Sequence, residues 1–206
     1  MIWLPWQLIK TMNIVIRQAS PADVHAATTL LYQAGEQLLC TIFGDGDKEK
    51  TLDFLNYAWM NQSGQYGCSN HWLACDGNLP VGIITCWHDK LPEDFDHQTL
   101  MSITDFFGIA ESLSVIARSQ HIAESLQVPS QNQLGVGHVA VHPDYRRTGV
   151  ATALLQEMVK QAVKHHKRSL ILDVESENKG AIQFYLTQGF QKKGVSPPFV
   201  HMSKSL

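Results

Sequence analysis

The chain has 206 residues, a length that suits one domain, or one domain carrying an insertion, and is short for two. Hydrophobic residues make up 44% and charged residues 17%, enough apolar material for a core and too ordinary a balance for a disordered or fibrous chain. A formal net charge of -3 lacks the basic footprint of a general nucleic-acid binder, so no nucleic-acid partner is expected.

The opening Met1–Lys10 is apolar but has no basic leader and no small-residue cleavage site, and Pro5 and Lys10 interrupt it. Residues 1–11 are read as an N-terminal extension and 12–206 as a single domain. Neither this stretch nor any later one shows the ~20 apolar residues of a spanning helix, so a soluble chain without a membrane partner is expected. Asn13–Gln18 reads as a first strand. Ser20, Pro21 and Asp23 then supply a cap, a first-turn proline and a first-turn acid for a helix to about Gln33. A second helix is predicted from Asp47 to Met60, with Leu52, Leu55 and Trp59 at core-facing spacing. His71–Cys75 and Leu79–Trp87, joined by Asp76-Gly77-Asn78, read as a hairpin.

Residues 88–132 read as a helical insertion: an acidic, proline-containing loop, then an apolar helical pattern through Phe106, Ile109, Leu113 and Ile116. Leu134–Val141 is strand-like and stops before Pro143, which cannot donate to a ladder. From Thr148 to about His166, Ala151, Leu154, Leu155, Met158, Ala162 and Val163 line one helical face. Leu170–Val174 is a short strand, Asn178–Gln188 a helix stopped by Gly189, and Phe190–Met202 a final extended segment broken at Pro197-Pro198. The fold class is therefore α/β, mixed, with a helical insertion before the strand that ends at Val141.

Cys40, Cys68, Cys75 and Cys86 match neither a zinc-ligand pattern nor a redox pair, and are read as reduced thiols of a cytoplasmic protein. Ten scattered histidines include no His-Glu-x-x-His pair, so no metal is expected. Asp45-Gly-Asp-Lys-Glu49 lacks the spacing of a calcium loop and reads as a turn before a helix. Gly135-Val-Gly-His-Val-Ala140 satisfies a dinucleotide fingerprint in letters only, because it lies inside a strand and does not open a helix. Lys164-His-His-Lys-Arg168 complements the dipole at the end of the longest amphipathic helix.

The informative stretch runs from Val139 to Leu155. A strand enters a sharp loop, and Arg146-Arg147-Thr148-Gly149-Val150-Ala151 opens the helix, leaving unpaired backbone N–H groups and two arginines around a glycine. That combination suits a pyrophosphate. Here the chain resembles the GCN5-related N-acetyltransferase (GNAT) superfamily, whose acetyl-CoA loop Arg/Gln-x-x-Gly-x-Gly/Ala is matched by Arg146-x-x-Gly149-x-Ala151. A second block, Asn178-x-x-Ala181-x-x-x-Tyr185-x-x-x-Gly189-Phe190, is similar to the segment that follows in the family.

The resemblance implies a central twisted mixed sheet flanked by helices and acetyl-CoA as co-substrate. It also implies a preceding strand, Val139, Ala140 and Val141, that splays from its neighbour and pairs with the pantetheine arm. In the family Asn178 would contact the cofactor arm and Tyr185 would protonate the departing thiolate. A phenol of reference pKa ~10 protonates a thiolate whose acid is near ~8.5 only when the site assists. Family members that carry a base on the strand place it at positions corresponding to Gly135 and Gly137, where this chain has no side chain. His138 lies between them and by alternation should face the other way unless a bulge re-aims it. Asp173, five residues before the asparagine, is the preferred base candidate, with transfer of the proton through water as the alternative.

The implied reaction is transfer of acetyl to a primary amine, small-molecule or peptide, by direct attack, with the thioester carbonyl polarised by the Val141 amide and no covalent enzyme intermediate. Asp89, Glu93, Asp94, Asp96 and Asp105 of the insertion would draw a cationic amine or form a solvated acidic loop, and Phe106 and Phe107 suit core better than pocket. Dimerisation is common in such folds. The competing reading is a non-catalytic CoA-binding module, supported by the glycines at the usual base positions.

Overall fold

The computed structural model describes residues 13–206, so the reading of residues 1–11 as an extension lies outside the described residues. One sheet of seven strands has the order β1-β2-β3-β4-β5-β7-β6. The strands are β1 (Ile14–Gln18), β2 (His71–Asp76), β3 (Leu79–Trp87), β4 (Gln133–Val141), β5 (Ser169–Glu175), β6 (Gln191–Ser196) and β7 (Phe199–Ser205). Every neighbouring pair is antiparallel except β4–β5, which is parallel and makes the sheet mixed. The helices are α1 (Val24–Ala34), α2 (Glu36–Leu39), α3 (Lys48–Met60), α4 (Phe95–Ala123), α5 (Val150–Lys164) and α6 (Lys179–Thr187).

Strand alternation divides the core into two layers. On one face, Val150, Leu154, Leu155, Met158 and Ala162 of α5 and Ile182 and Tyr185 of α6 cover Ala74, Val81, Ile84, Leu134, Val136 and Leu172. The opposite face carries α1, α3 and α4, whose Leu30, Leu31, Phe54, Leu55, Trp59, Ile103 and Val115 pack against Leu73, Cys75 and Ile83. Each fully buried Leu, Phe or Ile side chain contributes about 1.5–3 kcal/mol. α5 settles close to the sheet because β3 has glycine at position 82: a Cβ there would lie 2.9 Å from Val150 and 3.0 Å from Leu154.

Local signals set most boundaries. Asp47 caps α3 by accepting from the amides of Glu49 (2.8 Å) and Lys50 (3.2 Å), so the Asp45–Glu49 stretch is a turn and cap. Ser20 and Asp23 form a capping box, and Asp23 is also held by Arg17 across the β1 end at 2.6 Å. All four cysteines are free thiols.

Three expectations are corrected. The C-terminal extended segment is two strands, because the chain reverses at Pro197-Pro198 and β7 returns between β5 and β6. The insertion helix is much longer than its apolar pattern suggested, and α4 meets the length and hydropathy of a membrane-crossing helix, with mean hydropathy 1.4, contrary to the expectation that no stretch comes close. It is nevertheless broken at Gly108, whose φ of 72° and ψ of 165° belong to a region open essentially to glycine alone. The break shifts the helical phase: Ser112 and Val115 face inward while Ile109 and Leu113 of the apolar pattern are 83% and 66% exposed. Finally, Lys167 is not merely a dipole complement: it is buried, paired with Asp89, and donates to the Gln131 carbonyl at 2.8 Å.

Candidate functional site

β4 and β5 pair over only three positions, Gln133–Gly135 with Ser169–Ile171, and then diverge. The rest of β4 keeps its partner β3 on the other edge, so the strand splays open toward β5. The His142 amide donates to the Val81 carbonyl at 2.9 Å, on the β3 side. Alternation therefore turns the Val141 amide to the open side, where the Val141 carbonyl accepts from Arg146 Nε at 3.2 Å. Ala140 lies on the α1/α3 face, and Val139 and Val141 on the α5 face.

Past Val141 the chain makes a single tight turn, Pro143–Tyr145, tied to β2 by the Tyr145 hydroxyl donating to Asp76 at 2.9 Å. The loop then folds back on itself, with the Thr148 hydroxyl donating to the Tyr145 carbonyl at 2.6 Å. Arg147 (φ 62°) and Gly149 (φ 92°) both take left-handed backbone conformations, and Gly149 is the N-cap residue of α5. The consequence is a turn of six amides, Arg147 to Thr152, that receive no hydrogen-bond acceptor from the described residues; the first paired amide is Ala153, at 2.9 Å from the Gly149 carbonyl. A Cβ at position 149 would meet nothing within 4 Å, so the space above the glycine is open to a ligand. Partial positive charge at the helix start, free donors and the exposed Arg146 and Arg147 together fit a diphosphate, and the splayed Val139–Val141 edge next to it fits an extended amide-bearing arm.

Tyr185 is buried in the α5/α6 layer, edge-on to Phe190 with ring centroids 5.6 Å apart. Burial pushes its phenol well above the ordinary 10, so it is held protonated. Its hydroxyl has no hydrogen-bond partner among the described residues and is not enclosed. Asn178 is exposed and caps α6, its side-chain oxygen accepting from the Ala181 amide at 3.0 Å. Its amide nitrogen stays available to a ligand.

Asp173 sits on the opposite face of β5 from Leu172, and its carboxylate is taken up on three sides. It accepts from the Gln127 amide (2.8 Å), from Gln127 Nε2 (2.8 Å) and from His201 Nδ1 (2.5 Å). Gln127 Nε2 also donates to the Leu172 carbonyl at 3.0 Å, so this residue of the post-α4 segment ties itself to β5 just beyond the splay. Nothing in the sequence marked Gln127, because its role depends on where the insertion returns.

His138 departs from expectation. Thr85 pairs with Gly137 and Ile83 with Ala140, so two residues of β4 oppose Ile84 alone. This is a β-bulge, and His138 takes φ 49° in it. The extra residue turns the His138 ring onto the same face as Gly135 and Gly137, where it stacks over Tyr66 at 5.7 Å. Gly135 and Gly137 leave room for Trp87: a Cβ at 135 would lie 2.4 Å from the indole, and one at 137 would lie 2.8 Å from it. The space beside Gly135 and Gly137, where the resemblance would place a strand base, is thus filled by an aromatic ring from β3. The acidic residues of the insertion do not converge on this face: Asp89 is paired with Lys167, and Glu93, Asp94, Asp96 and Asp105 are exposed. Phe106 and Phe107 pack against Phe54, at 5.6 and 5.2 Å, as core. No cluster of three or more metal-ligating side chains occurs among the described residues.

A family model described as the acetyltransferase (GNAT) family matches residues 33–190, more than half of the chain. The chain belongs to the GNAT acetyltransferase family. It is similar to an uncharacterized N-acetyltransferase of Methanocaldococcus jannaschii, 38% identical over 71 residues that make up 34% of this chain and 31% of that protein. It is also similar to the ribosomal protein bS18-alanine N-acetyltransferase of Escherichia coli K12, 36% identical over 55 residues, 27% of this chain and 37% of that one. The chain spans about a third of the length of these relatives. Among solved structures, the PaiA N-acetyltransferase of Thermoplasma acidophilum in complex with coenzyme A superposes with a TM-score of 0.55 at 16% identity, covering 95% of this chain and 100% of that one. That likeness carries the fold: the mixed seven-stranded GNAT sheet flanked by helices, with a helix between the third and fourth strands.

Proposed function

We propose that the chain binds acetyl-CoA across the β4–β5 splay and transfers its acetyl group to a primary amine by direct attack in a ternary complex. The observation that carries this is the turn of unpaired amides from Arg147 to Thr152 beside a strand edge that has lost its neighbour. In this reading those amides, with Arg146 and Arg147, hold the diphosphate. Val139 to Val141 pair with the arm of the cofactor, and the Asn178 amide donates to it.

The chemistry then follows from placement. Holding amine and thioester together supplies most of the acceleration, and the outward Val141 amide stabilises the oxyanion that forms at the carbonyl. Tyr185 has a free hydroxyl and gives its proton to the departing thiolate; burial keeps that proton on the phenol but makes it a weaker acid, so the transfer relies on the thiolate being desolvated in the same layer. The cofactor side of the splay is the α5/α6 face and the acceptor side is the α1/α3/α4 face, which the insertion covers. Asp173 stays in the proposal as the holder of Gln127 and His201, since its carboxylate is already engaged by both.

The acceptor class is a small amine or a peptide amine; the second is supported by the Escherichia coli relative, named for an alanine of ribosomal protein bS18. A cytoplasmic location is part of the same reading, supported by the four unbridged cysteines. The test is turnover: the protein is mixed with acetyl-CoA and a panel of small amines and peptides, and free thiol is followed. Amine-dependent thiol release that falls in Tyr185→Phe is expected. CoA binding without thiol release on any amine would replace this reading with a non-catalytic CoA-binding module.

A further inference from the structure

A chain of hydrogen bonds runs from the backbone into the acceptor side of the splay. His71, fully buried on β2 beneath Trp59, has its Nδ1 2.9 Å from the Gly67 carbonyl and its Nε2 3.1 Å from His138 Nδ1. The two imidazole planes lie within 11° of each other, which is compatible with an in-plane N–H···N bond. A carbonyl only accepts, so His71 carries its proton on Nδ1; a neutral imidazole then has a bare Nε2, which only accepts. His138 must therefore donate from Nδ1, and its own Nε2 is left bare. That nitrogen has no partner among the described residues and is not enclosed. The bulge that interrupts β4 aims the ring at the face where the acceptor amine arrives.

We propose that His138 Nε2 is the base that takes the proton of the attacking amine, and that His71 is the positioning residue that fixes it in the required tautomer. The inference rests on the acetyl-transfer reading. The amine lone pair forms the C–N bond as the carbonyl π pair moves to oxygen, and one ammonium proton passes to His138 Nε2. The oxyanion then re-forms the carbonyl, the C–S pair leaves on sulfur, and the thiolate takes the Tyr185 proton. Release of the His138 proton to solvent and reprotonation of Tyr185 from solvent restore the enzyme, so one amine proton ends on the CoA thiol.

The titratable groups facing His138 are His71 from β2 and Tyr66 from the segment before it, both held neutral by burial. His138 itself is lowered to about 3 by burial and by His71, so it stays neutral across the working range. The acid limb of kcat/KM then belongs to the acceptor amine.

The experiment uses the full chain with acetyl-CoA and the best amine of the panel. His138→Asn, a residue that tolerates the left-handed backbone, should lower kcat about 100-fold while leaving CoA affinity unchanged. His71→Phe should lower kcat with KM for acetyl-CoA unchanged, and His71→Gln, which restores an acceptor facing His138, should recover most of it. Imidazole nitrogen shifts of the wild-type protein give a second readout that needs no variant: at pH 7 both rings should be protonated on Nδ1 only. A proton on His138 Nε2, or unchanged kcat in His138→Asn, would overturn the base role while acetyl transfer stands. A wild-type protein that binds CoA and acetylates nothing overturns the acetyl-transfer reading, and the base role with it.

Discussion

The two sides of the splay are assembled in different ways. On the side read as holding the cofactor, the diphosphate end comes from one contiguous run, Arg146 to Thr152, in which backbone amides and a left-handed glycine make the site. The acceptor side is drawn from five separated places: His71 on β2, Trp87 on β3, Gln127 after α4, His138 in the β4 bulge and Asp173 on β5. A site made of consecutive main-chain donors needs only its own loop geometry. One made of converging side chains needs the whole topology, and one inserted residue redirects it.

The sharpest way to break the contrast is at Tyr185, which belongs by layer to the cofactor side and by chemistry to the reaction. Tyr185→Phe should lower kcat by about 100-fold with CoA affinity unchanged, read by thiol release and calorimetry. An unaltered kcat would leave the cofactor side as a binding element only. Gly149→Val comes next. Its Cβ meets no protein atom, so the cost lies in the left-handed backbone, about 1–3 kcal/mol, and in crowding of the diphosphate. Calorimetry should show CoA binding weakened about tenfold or more; unchanged affinity would detach the diphosphate from this loop.

The acceptor side yields to smaller changes. Gly135→Ala puts a methyl 2.4 Å from the Trp87 ring and should destabilise the fold by about 1–3 kcal/mol in denaturant titration. The acceptor KM should move while CoA affinity does not; movement of both would mean that the two sides are not separable. The smallest effect is on stability against pH. Burial lowers His71 from 6.5 to about 4, so the unfolded chain takes up the proton first as pH falls. The contribution of the neutral ring is complete above pH 6.5 and is lost toward pH 4, at up to about 1.4 kcal/mol per pH unit. His71→Phe should remove its share of that slope and leave the part due to His138, and a wild-type curve already flat there would contradict the buried neutral pair.

The same contrast explains what was legible. Ser20, Asp47, Gly149 and the apolar face of α5 act within one or two turns of chain, and their elements fall within two residues of the expected ends. Plain alternation put His138 on the face opposite Gly135 and Gly137 unless a bulge re-aimed it; the fold contains that bulge, whose added residue leaves no mark in the hydrophobic pattern. Gly108 did the same to α4, where the apolar pattern runs past the glycine through Ile109 and Leu113 although the break turns both to solvent. The double proline at 197–198 was read as a break in one strand when it is the turn between two. Asp173 was singled out as the preferred base candidate; the partners that engage its carboxylate, Gln127 and His201, come from an insertion and a strand whose placements only the fold defines.

The most direct test of the central claim is a backbone amide titration of the nitrogen-15-labelled protein with coenzyme A. Saturable shifts concentrated on Arg147 to Thr152 and on Val139 to Val141 are expected, with the diphosphate in hydrogen-bond reach of those amides in a crystal of the complex. Shifts clustered elsewhere with this loop unmoved would show that the start of α5 is not where the cofactor is held.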